Sequence, residues 1–201
     1  MRKRHIIALF AVLGLTFVFL AAQGVSLFDF GRTDAHVSAS MGQISLSAGS
    51  QTAFNYLSQQ RTNACSLQPE VVLAYLDDVH IQGSCCAPMD LHRYQEQVEG
   101  LRRYTNIPQI PQDPYDMPAA LVKELLGYQS SIHLTAQQQA VYDEAMTLSD
   151  EGGPCCCRCW RWYAFEGMGK YLITQRGWDA QQLAELWSLT DGCGGTGHQH
   201  G

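Results

Sequence analysis

The sequence predicts an all-α domain, a small bundle of five or six helices that follows an N-terminal transmembrane anchor. Apolar side chains recur at helical spacing through most of residues 65–195, and helix-starting residues stand at the beginning of these segments. No segment shows the alternation of apolar and polar residues that is typical of strands, and there is no Asn-Gly hairpin signal.

The first element is the apolar run of residues 6–22, which follows a basic cluster at residues 2–5 and contains no charged residue. Its length is at the lower limit for a helix that crosses the hydrocarbon core of a bilayer. The basic cluster should stay in the cytoplasm, which places the rest of the chain outside. Residues 1–23 are therefore predicted to be a signal anchor that crosses the cytoplasmic membrane once. A cleaved signal peptide has the same layout and would leave a secreted protein.

Two polar segments flank the predicted domain. Residues 24–64 are rich in Ser, Gly, Gln, Ala and Thr and hold few large apolar residues, which predicts a flexible tether. Residues 196–201 contain two histidines and are predicted to be a disordered tail. The cysteine-rich helical domain is thus expected to occupy residues 65–195.

Helix boundaries within this domain are indicated by proline, glycine and capping residues. Pro69 should lie in a first turn, Thr135 and Asp179 each precede a Gln by three residues as in a capping box, and Gly177 can end a helix in the left-handed conformation. Four prolines in residues 106–118 predict an extended connector. The predicted helices are 69–79, 90–104, 118–128, 135–150, 160–176 and 179–190.

The charge of the exported part excludes one class of partner. Residues 25–201 hold ten basic against nineteen acidic residues, a formal net charge of −9. Because nucleic-acid binding requires Lys and Arg to neutralise phosphates, no nucleic-acid partner is expected. The membrane, reached through the N-terminal helix, is the first predicted partner.

Cysteines dominate the chemistry of the exported part. An even number in an exported chain is first of all typical of a disulfide framework. However, the neighbours Cys155, Cys156 and Cys157 would each need a different distant partner, which would crowd four bridges into one knot. The eight cysteines are Cys65, Cys85, Cys86, Cys155, Cys156, Cys157, Cys159 and Cys193.

A metal site explains the density of thiols more simply, because thiolates are soft ligands that select Cu(I), zinc or iron–sulfur clusters. If a helix starts near Cys155, then Cys155 and Cys159 lie on one face, whereas in an extended chain Cys155 and Cys157 point to the same side. A helix that opens there would also lower the thiol pKa through its N-terminal amides, so a thiol-based redox protein is a further alternative. Cys193 lies in a glycine-rich loop that could bring another sulfur to the site.

A second group of soft ligands favours copper. Cys85, Cys86 and Met89 lie within five residues of one another, with His80 and His92 nearby. Thioether sulfur does little for zinc, and zinc sites are typically built from paired Cys-x-x-Cys or His motifs that this chain lacks, unless residues 156–159 are counted as one. Copper as Cu(I) is therefore the expected cofactor, and zinc is less favoured.

The segment PCCCRC at residues 154–159 resembles the motif of the PCYCGC-motif family of uncharacterised exported or membrane-anchored proteins. Cys156 stands where that family has Tyr, and Arg158 stands where it has Gly. The downstream histidine and paired cysteines of the family have no counterpart here, only Cys193. The resemblance implies a helical exported domain with a thiol site. The matched residues are Pro154, Cys155, Cys157 and Cys159.

The resulting hypothesis is a membrane-anchored extracytoplasmic protein that binds Cu(I) for transfer, storage or sensing, with a metal-donor or acceptor protein as partner. The alternatives are a disulfide-stapled interaction domain without metal and a thiol-based redox protein. Because hydrolase and P-loop motifs are absent, no catalytic residue is assigned and enzyme activity stays open. The expected primary ligands are Cys155, Cys157 and Cys159, assisted by Cys156 and Cys193. The residues expected to complete this site or to form a second one are Cys85, Cys86 and Met89.

Overall fold

The computed structural model describes residues 46–195, and the predicted anchor, residues 24–45 of the predicted tether and the predicted tail lie outside the described residues. The described part is mostly helical, as the sequence predicts. Within it, no helix is both long and apolar enough to cross a bilayer. Its elements are α1 (Gln51–Leu57), α2 (Pro69–Leu73), β1 (His80–Gln82), α3 (Leu91–Leu101), a 3-10 turn (Arg102–Tyr104), β2 (Asp116–Pro118), α4 (Ala119–Ser131), α5 (Ala136–Leu148), α6 (Trp160–Arg176) and α7 (Ala180–Thr190).

Helix α6 is the centre of the main core and packs most closely on α4. Gly167 makes this close approach possible, because a Cβ at that position would lie 1.9 Å from the carbonyl oxygen of Leu125. Trp160, Phe165 and Leu172 of α6 are fully buried. The helix ends at Gly177, which has a φ of 67° and provides the left-handed cap that the sequence predicts.

Helices α5 and α7 pack on each other and complete the main core. Both begin with the predicted capping boxes, in which Thr135 and Asp179 accept from the backbone amides of Gln138 and Gln182. Trp187 of α7 is 2% exposed and donates from its indole nitrogen to the Phe165 carbonyl at 3.4 Å. The last two helices of the chain are therefore tied to the same core as α4.

A second, smaller core forms where α1 meets α3, and it differs from the sequence-based expectation. The range predicted to be a flexible tether includes α1. Ser50 caps this helix by accepting a hydrogen bond from the Ala53 amide. Ala53 and Leu57 are four residues apart, so they share a face, and both are buried. Two apolar residues suffice there because α3 covers them with larger side chains. The buried members of this second core are Ala53, Leu57, Met89, Tyr94, Val98 and Tyr115.

The structure also contains a two-stranded antiparallel sheet that the sequence does not predict. Strand β1 pairs with β2 so that His80, Ile81 and Gln82 face Pro118, Met117 and Asp116 respectively. Ile81 and Met117 are fully buried. Three residues per strand are too few to show an alternating pattern, and the pairing confines helix α2 to Pro69–Leu73 where the sequence predicts a helix to residue 79.

Candidate metal centre

All eight cysteines lie in loops and carry free thiols. Cys65 lies between α1 and α2, the pair Cys85 and Cys86 lies between β1 and α3, and Cys193 follows α7. The four cysteines of residues 155–159 form the loop before α6. The alternative in which a helix opens near Cys155 is therefore wrong. The backbone at Gly152 and Gly153 has positive φ, and α6 begins only at Trp160 with Cys159 as its N-cap.

These loops bring the sulfurs into contact. Cys86 Sγ lies 2.6 Å from Cys65 Sγ, 3.3 Å from Cys85 Sγ and 3.7 Å from Cys156 Sγ. Cys193 Sγ lies 3.1 Å from Cys156 Sγ and 3.7 Å from Cys85 Sγ. Residues distant in sequence by as much as 108 positions thus meet at one place.

The remaining sulfurs join the same group. Cys155 Sγ lies 3.7 Å from Cys193 Sγ, and the thiols of Cys155 and Cys159 lie close enough to shift the pKa of each other. The thiols of Cys159 and Cys65 lie close enough to Cys157 to raise the pKa of its thiol. Every cysteine of the chain is therefore linked to the others through thiol contacts, and we call these eight residues the thiol cluster.

Three groups of three sulfurs within the thiol cluster are compact enough to hold a metal ion, with all sulfurs of a group within 4.8 Å of one another. Cys86 belongs to two of these groups, and so does Cys156. Seven different sulfurs take part. The three triads are Cys65, Cys85 and Cys86; Cys86, Cys156 and Cys193; and Cys155, Cys156 and Cys157.

Backbone hydrogen bonds hold Cys193 beside the pair Cys85 and Cys86. The amide of Cys85 donates to Gly192 O at 3.2 Å, and the amide of Cys86 donates to Cys193 O at 3.1 Å. The Gly195 amide donates to Pro88 O at 2.8 Å. The loop after α7 is therefore fixed to the loop before α3. The glycine-rich sequence around Cys193 suggests a flexible loop, but these hydrogen bonds hold it in place.

Asn63 ties the Cys65 loop to the other loops. Its side-chain nitrogen donates to Gly83 O at 3.0 Å, and its side-chain oxygen accepts from the indole nitrogen of Trp160 at 3.1 Å. Asn63 is 4% exposed, so both bonds are buried. The amide of Trp160 also donates to Leu67 O at 2.9 Å. These bonds connect the neighbours of Cys65, Cys85 and Cys159.

A buried guanidinium lies next to the thiol cluster. Arg161 is fully buried, and its Nη atoms donate to the carbonyl oxygens of Thr190 at 2.9 Å and Pro114 at 2.7 Å. Its Nε has no hydrogen-bond partner among residues 46–195. A Cβ at Gly192, beside Cys193, would lie 2.5 Å from the guanidinium carbon. The positive charge of Arg161 therefore lies against the loop that carries Cys193.

Crowding and burial favour the protonated form of the thiols. The hydrogen bond with Cys193 and the charge of Arg161 lower the pKa of Cys85, but burial and the neighbouring thiol of Cys86 together raise it to about 11. Burial and the neighbouring sulfur of Cys159 raise the pKa of Cys157 to about 12. The neighbouring thiol of Cys155 and burial also raise the pKa of Cys159. The low thiol pKa that a helix N-terminus would produce is therefore not found at these residues.

Exposure divides the thiol cluster into two layers. Cys86 and Cys156 are exposed to solvent, whereas Cys155, Cys159 and Cys193 are buried. An open groove of about 430 Å³ lies over Cys85 and Cys86 and is lined also by Arg61, Asn63 and Pro88. Solvent and ligands can thus reach the cluster at its outer thiols.

The structure brings seven of the eight residues predicted as ligands into the thiol cluster. It places the eighth, Met89, in the second core at 8% exposure, where its side chain serves packing. His80 instead pairs with Asp116, and His92 pairs with Glu96 on the exposed side of α3. The predicted ligands that converge are Cys85, Cys86, Cys155, Cys156, Cys157, Cys159 and Cys193.

Three residues of the site are not identified by the sequence analysis. Cys65 is absent from the predicted ligands, although the even number of cysteines indicates that it has a partner. Asn63 and Arg161 carry no recognisable pattern in the sequence, because their roles depend on which loops meet. A charged residue within an apolar helical stripe, as Arg161 is between Trp160 and Trp162, is the one available signal.

No protein-family model, curated protein or solved structure matches the chain. The similarity to the PCYCGC-motif family stays a prediction that depends on four residues.

Proposed function

We propose that this protein binds Cu(I) through the thiol cluster and serves in the transfer, storage or sensing of the metal. The observation that carries the proposal is the convergence of eight free thiols from four separate loops. Soft thiolate ligands select soft metal ions, and monovalent copper is the softest of the common ones.

The grouping of the sulfurs supports copper rather than zinc. Structural zinc sites are tetrahedral and use four ligands, whereas each compact group here contains three sulfurs. Cu(I) accepts three thiolates in a plane. The thioether of Met89 no longer contributes to the choice of metal, so the preference depends on the three-sulfur groups and on the absence of His, Asp and Glu from them among the described residues.

The proposed location outside the cytoplasmic membrane depends on the sequence pattern of residues 1–23. An extracytoplasmic copper protein must receive and release the metal by ligand exchange with a partner. The exposed thiols Cys86 and Cys156 offer the point of contact for a thiol- or thioether-bearing donor or acceptor protein.

A disulfide-stapled domain without metal is the second candidate function. The 2.6 Å separation of Cys65 Sγ and Cys86 Sγ favours it, because this distance is shorter than a nonbonded sulfur contact. Other thiols of the cluster are also close enough to be oxidised in pairs. The two candidates differ in the state of the thiols in the isolated protein.

Elemental analysis and thiol titration of the same sample distinguish the candidates. The full-length chain would be purified without added metal or reductant and titrated before and after denaturation in the presence of a Cu(I) chelator. Bound copper in at least stoichiometric amount, with thiols that react only after the copper is stripped, is the expected result. A sample that contains neither metal nor free thiols would refute copper binding and establish the disulfide framework.

A further inference from the structure

We infer that the thiol cluster holds three Cu(I) ions in a single polynuclear assembly with net negative charge, with Arg161 as its built-in counter-cation. This inference depends on the proposed copper binding and adds the number of ions, the bridging ligands and the charge of the loaded site. Two independent observations carry it. One is the sharing of sulfurs between the triads, and the other is the burial of Arg161 beside the thiol cluster without a hydrogen-bonded ion-pair partner among residues 46–195.

The sharing of sulfurs makes the three triads one assembly. Cys86 belongs to the triad with Cys65 and to the triad with Cys193, and Cys156 belongs to the triad with Cys193 and to the triad with Cys157. A thiolate has more than one lone pair, so a shared sulfur can bridge two copper ions. The middle triad is therefore bridged to both outer triads, and the three ions form a chain linked through Cys86 and Cys156.

The stoichiometry of this assembly requires a negative charge. Each thiol that binds copper releases a proton to solvent, and no electron is transferred because copper enters and remains as Cu(I). Seven sulfurs take part in the three triads, so three monovalent ions are outnumbered by their thiolates. An anionic assembly in a partly buried location needs positive charge nearby to be stable.

Arg161 supplies this charge before any metal is bound. Its guanidinium is fully buried between the rings of Trp160 and Phe165, which lie 4.9 and 5.0 Å from the guanidinium carbon. No ion pair joins it to a carboxylate within residues 46–195, since both of its hydrogen bonds go to carbonyl oxygens. The charge of Arg161 does act on the buried carboxylate of Asp113, but that carboxylate accepts its hydrogen bonds from the Tyr94 hydroxyl and the Tyr115 amide.

A buried charge without a counterion is expensive, and proteins usually pair it. Here the Gly192–Cys193 loop lies against Arg161, and the charge of Arg161 acts on the Cys85 thiol. The thiolates that form when copper binds would therefore be the negative groups that this side of Arg161 faces.

The number of ions is tested on the full-length chain titrated with Cu(I) under anaerobic conditions. Native mass spectrometry should show three bound ions at saturation, and X-ray absorption should show copper–copper as well as copper–sulfur scattering. The protons released during the same titration, measured in unbuffered solution with a pH-stat, should outnumber the copper ions bound, which would establish the negative charge. Equal numbers would overturn it.

Two neighbouring cysteines provide a matched pair of variants. Cys86→Ser removes a shared sulfur and should reduce the capacity from three ions to one, whereas Cys65→Ser removes an unshared sulfur and should leave two. Both cysteines are at least partly exposed, so both variants should fold, and circular dichroism would check this. The same loss in both variants would overturn the bridging role of Cys86.

The role of Arg161 is tested by Arg161→Met, with Arg161→Lys as the variant that keeps the charge. Arg161→Met should release fewer protons per bound copper than the wild type in the pH-stat titration, and Arg161→Lys should release the wild-type number. A residue that serves packing alone would not change the proton count. If Arg161→Met does not fold, Arg161→Gln, which keeps side-chain N–H donors but carries no charge, takes its place, and a wild-type proton count in that variant would overturn the role of Arg161.

Failure of this inference is distinguishable from failure of the proposed function. One bound copper without copper–copper scattering would refute the polynuclear assembly and leave copper binding intact. No bound copper would refute both.

Discussion

At the scale of single residues, Asn63 connects loops that the chain order keeps apart. Its two side-chain bonds join Gly83, near Cys85, to Trp160, near Cys159. Because Asn63 is almost fully buried, its removal would leave a carbonyl and an indole N–H without partners. The position of Cys65 relative to the other thiols thus depends on one amide side chain.

Asn63→Ala is expected to lower the free energy of unfolding by about 2–4 kcal/mol, because two buried polar groups lose their partners. Copper capacity should fall as well, since Cys65 is no longer held near Cys86. Urea unfolding and copper titration would measure the two effects. Gln59→Ala, which changes an exposed side chain of the same loop, should change stability by less than about 0.5 kcal/mol. Similar behaviour of the two variants would contradict the role of Asn63.

The raised thiol pKa values predict how copper binding depends on pH. With the pKa of Cys85 at about 11 and that of Cys157 at about 12, these thiols are protonated at neutral pH when no metal is bound. Binding of copper must therefore release protons, and each proton released makes the affinity rise about tenfold per pH unit. Competition with a Cu(I) chelator of known pH dependence, between about pH 6 and 8, would measure the slope. An affinity independent of pH would show that the thiolates exist before copper arrives.

At the scale of elements, the helices act as supports and the loops carry the ligands. Helix α6 begins directly after Cys159, and α7 ends directly before the loop of Cys193, so the packing of these helices fixes two ends of the thiol cluster. The loop after α7 lies so close to the loop before α3 that a Cβ at Gly194 would be 2.1 Å from Ala87 O. This contact leaves no space for a side chain.

Gly194→Ala is expected to separate the two loops and to weaken copper binding, because Cys193 would move away from Cys85 and Cys86. Gly195→Ala is the matched control. Both glycines have positive φ, 84° and 83°, so both variants carry the same backbone strain, but a Cβ at Gly195 would meet only Ala87 Cβ at 4.0 Å. Copper affinity and thermal stability of the two variants would be compared. Equal losses would mean that backbone strain, and not the contact with Ala87, causes the effect.

The sequence is sufficient to predict the long helices but not the way their loops meet. The capping boxes at Thr135 and Asp179 and the cap at Gly177 are local signals, and each is found where the sequence predicts it. Helix α1 and strands β1 and β2 are too short for a periodic pattern and are stabilised by contacts with distant residues. The convergence of Cys65 with Cys86 also depends on such contacts. The cysteine content therefore predicts a thiol site but not which cysteines form it.

At the scale of the whole molecule, the thiol cluster joins four loops that span residues 65–193. In the unfolded chain these loops are far apart, so only the folded protein presents the complete set of ligands. Copper that binds the folded state and not the unfolded state must stabilise the entire described domain.

Loading with Cu(I) should therefore raise the thermal unfolding midpoint. Free copper at about a hundred times its dissociation constant would raise the free energy of unfolding by about 2.7 kcal/mol. In a domain of this size that corresponds to a shift of about 5–10 °C. Calorimetry with and without copper would measure the shift, and a Cu(I) chelator should reverse it. The double variant Cys86→Ser with Cys156→Ser should show a much smaller shift, and a wild-type midpoint insensitive to copper would contradict the prediction.

The two thiols exposed to solvent, Cys86 and Cys156, are also the two that belong to more than one triad. An ion captured by either one is already in contact with sulfurs of the interior, to which it can pass without being released. Loading would then proceed inward, and unloading would proceed in the reverse order. An external chelator would remove the outermost copper rapidly and the copper at buried Cys155 slowly, so the protein would give up its metal in stages.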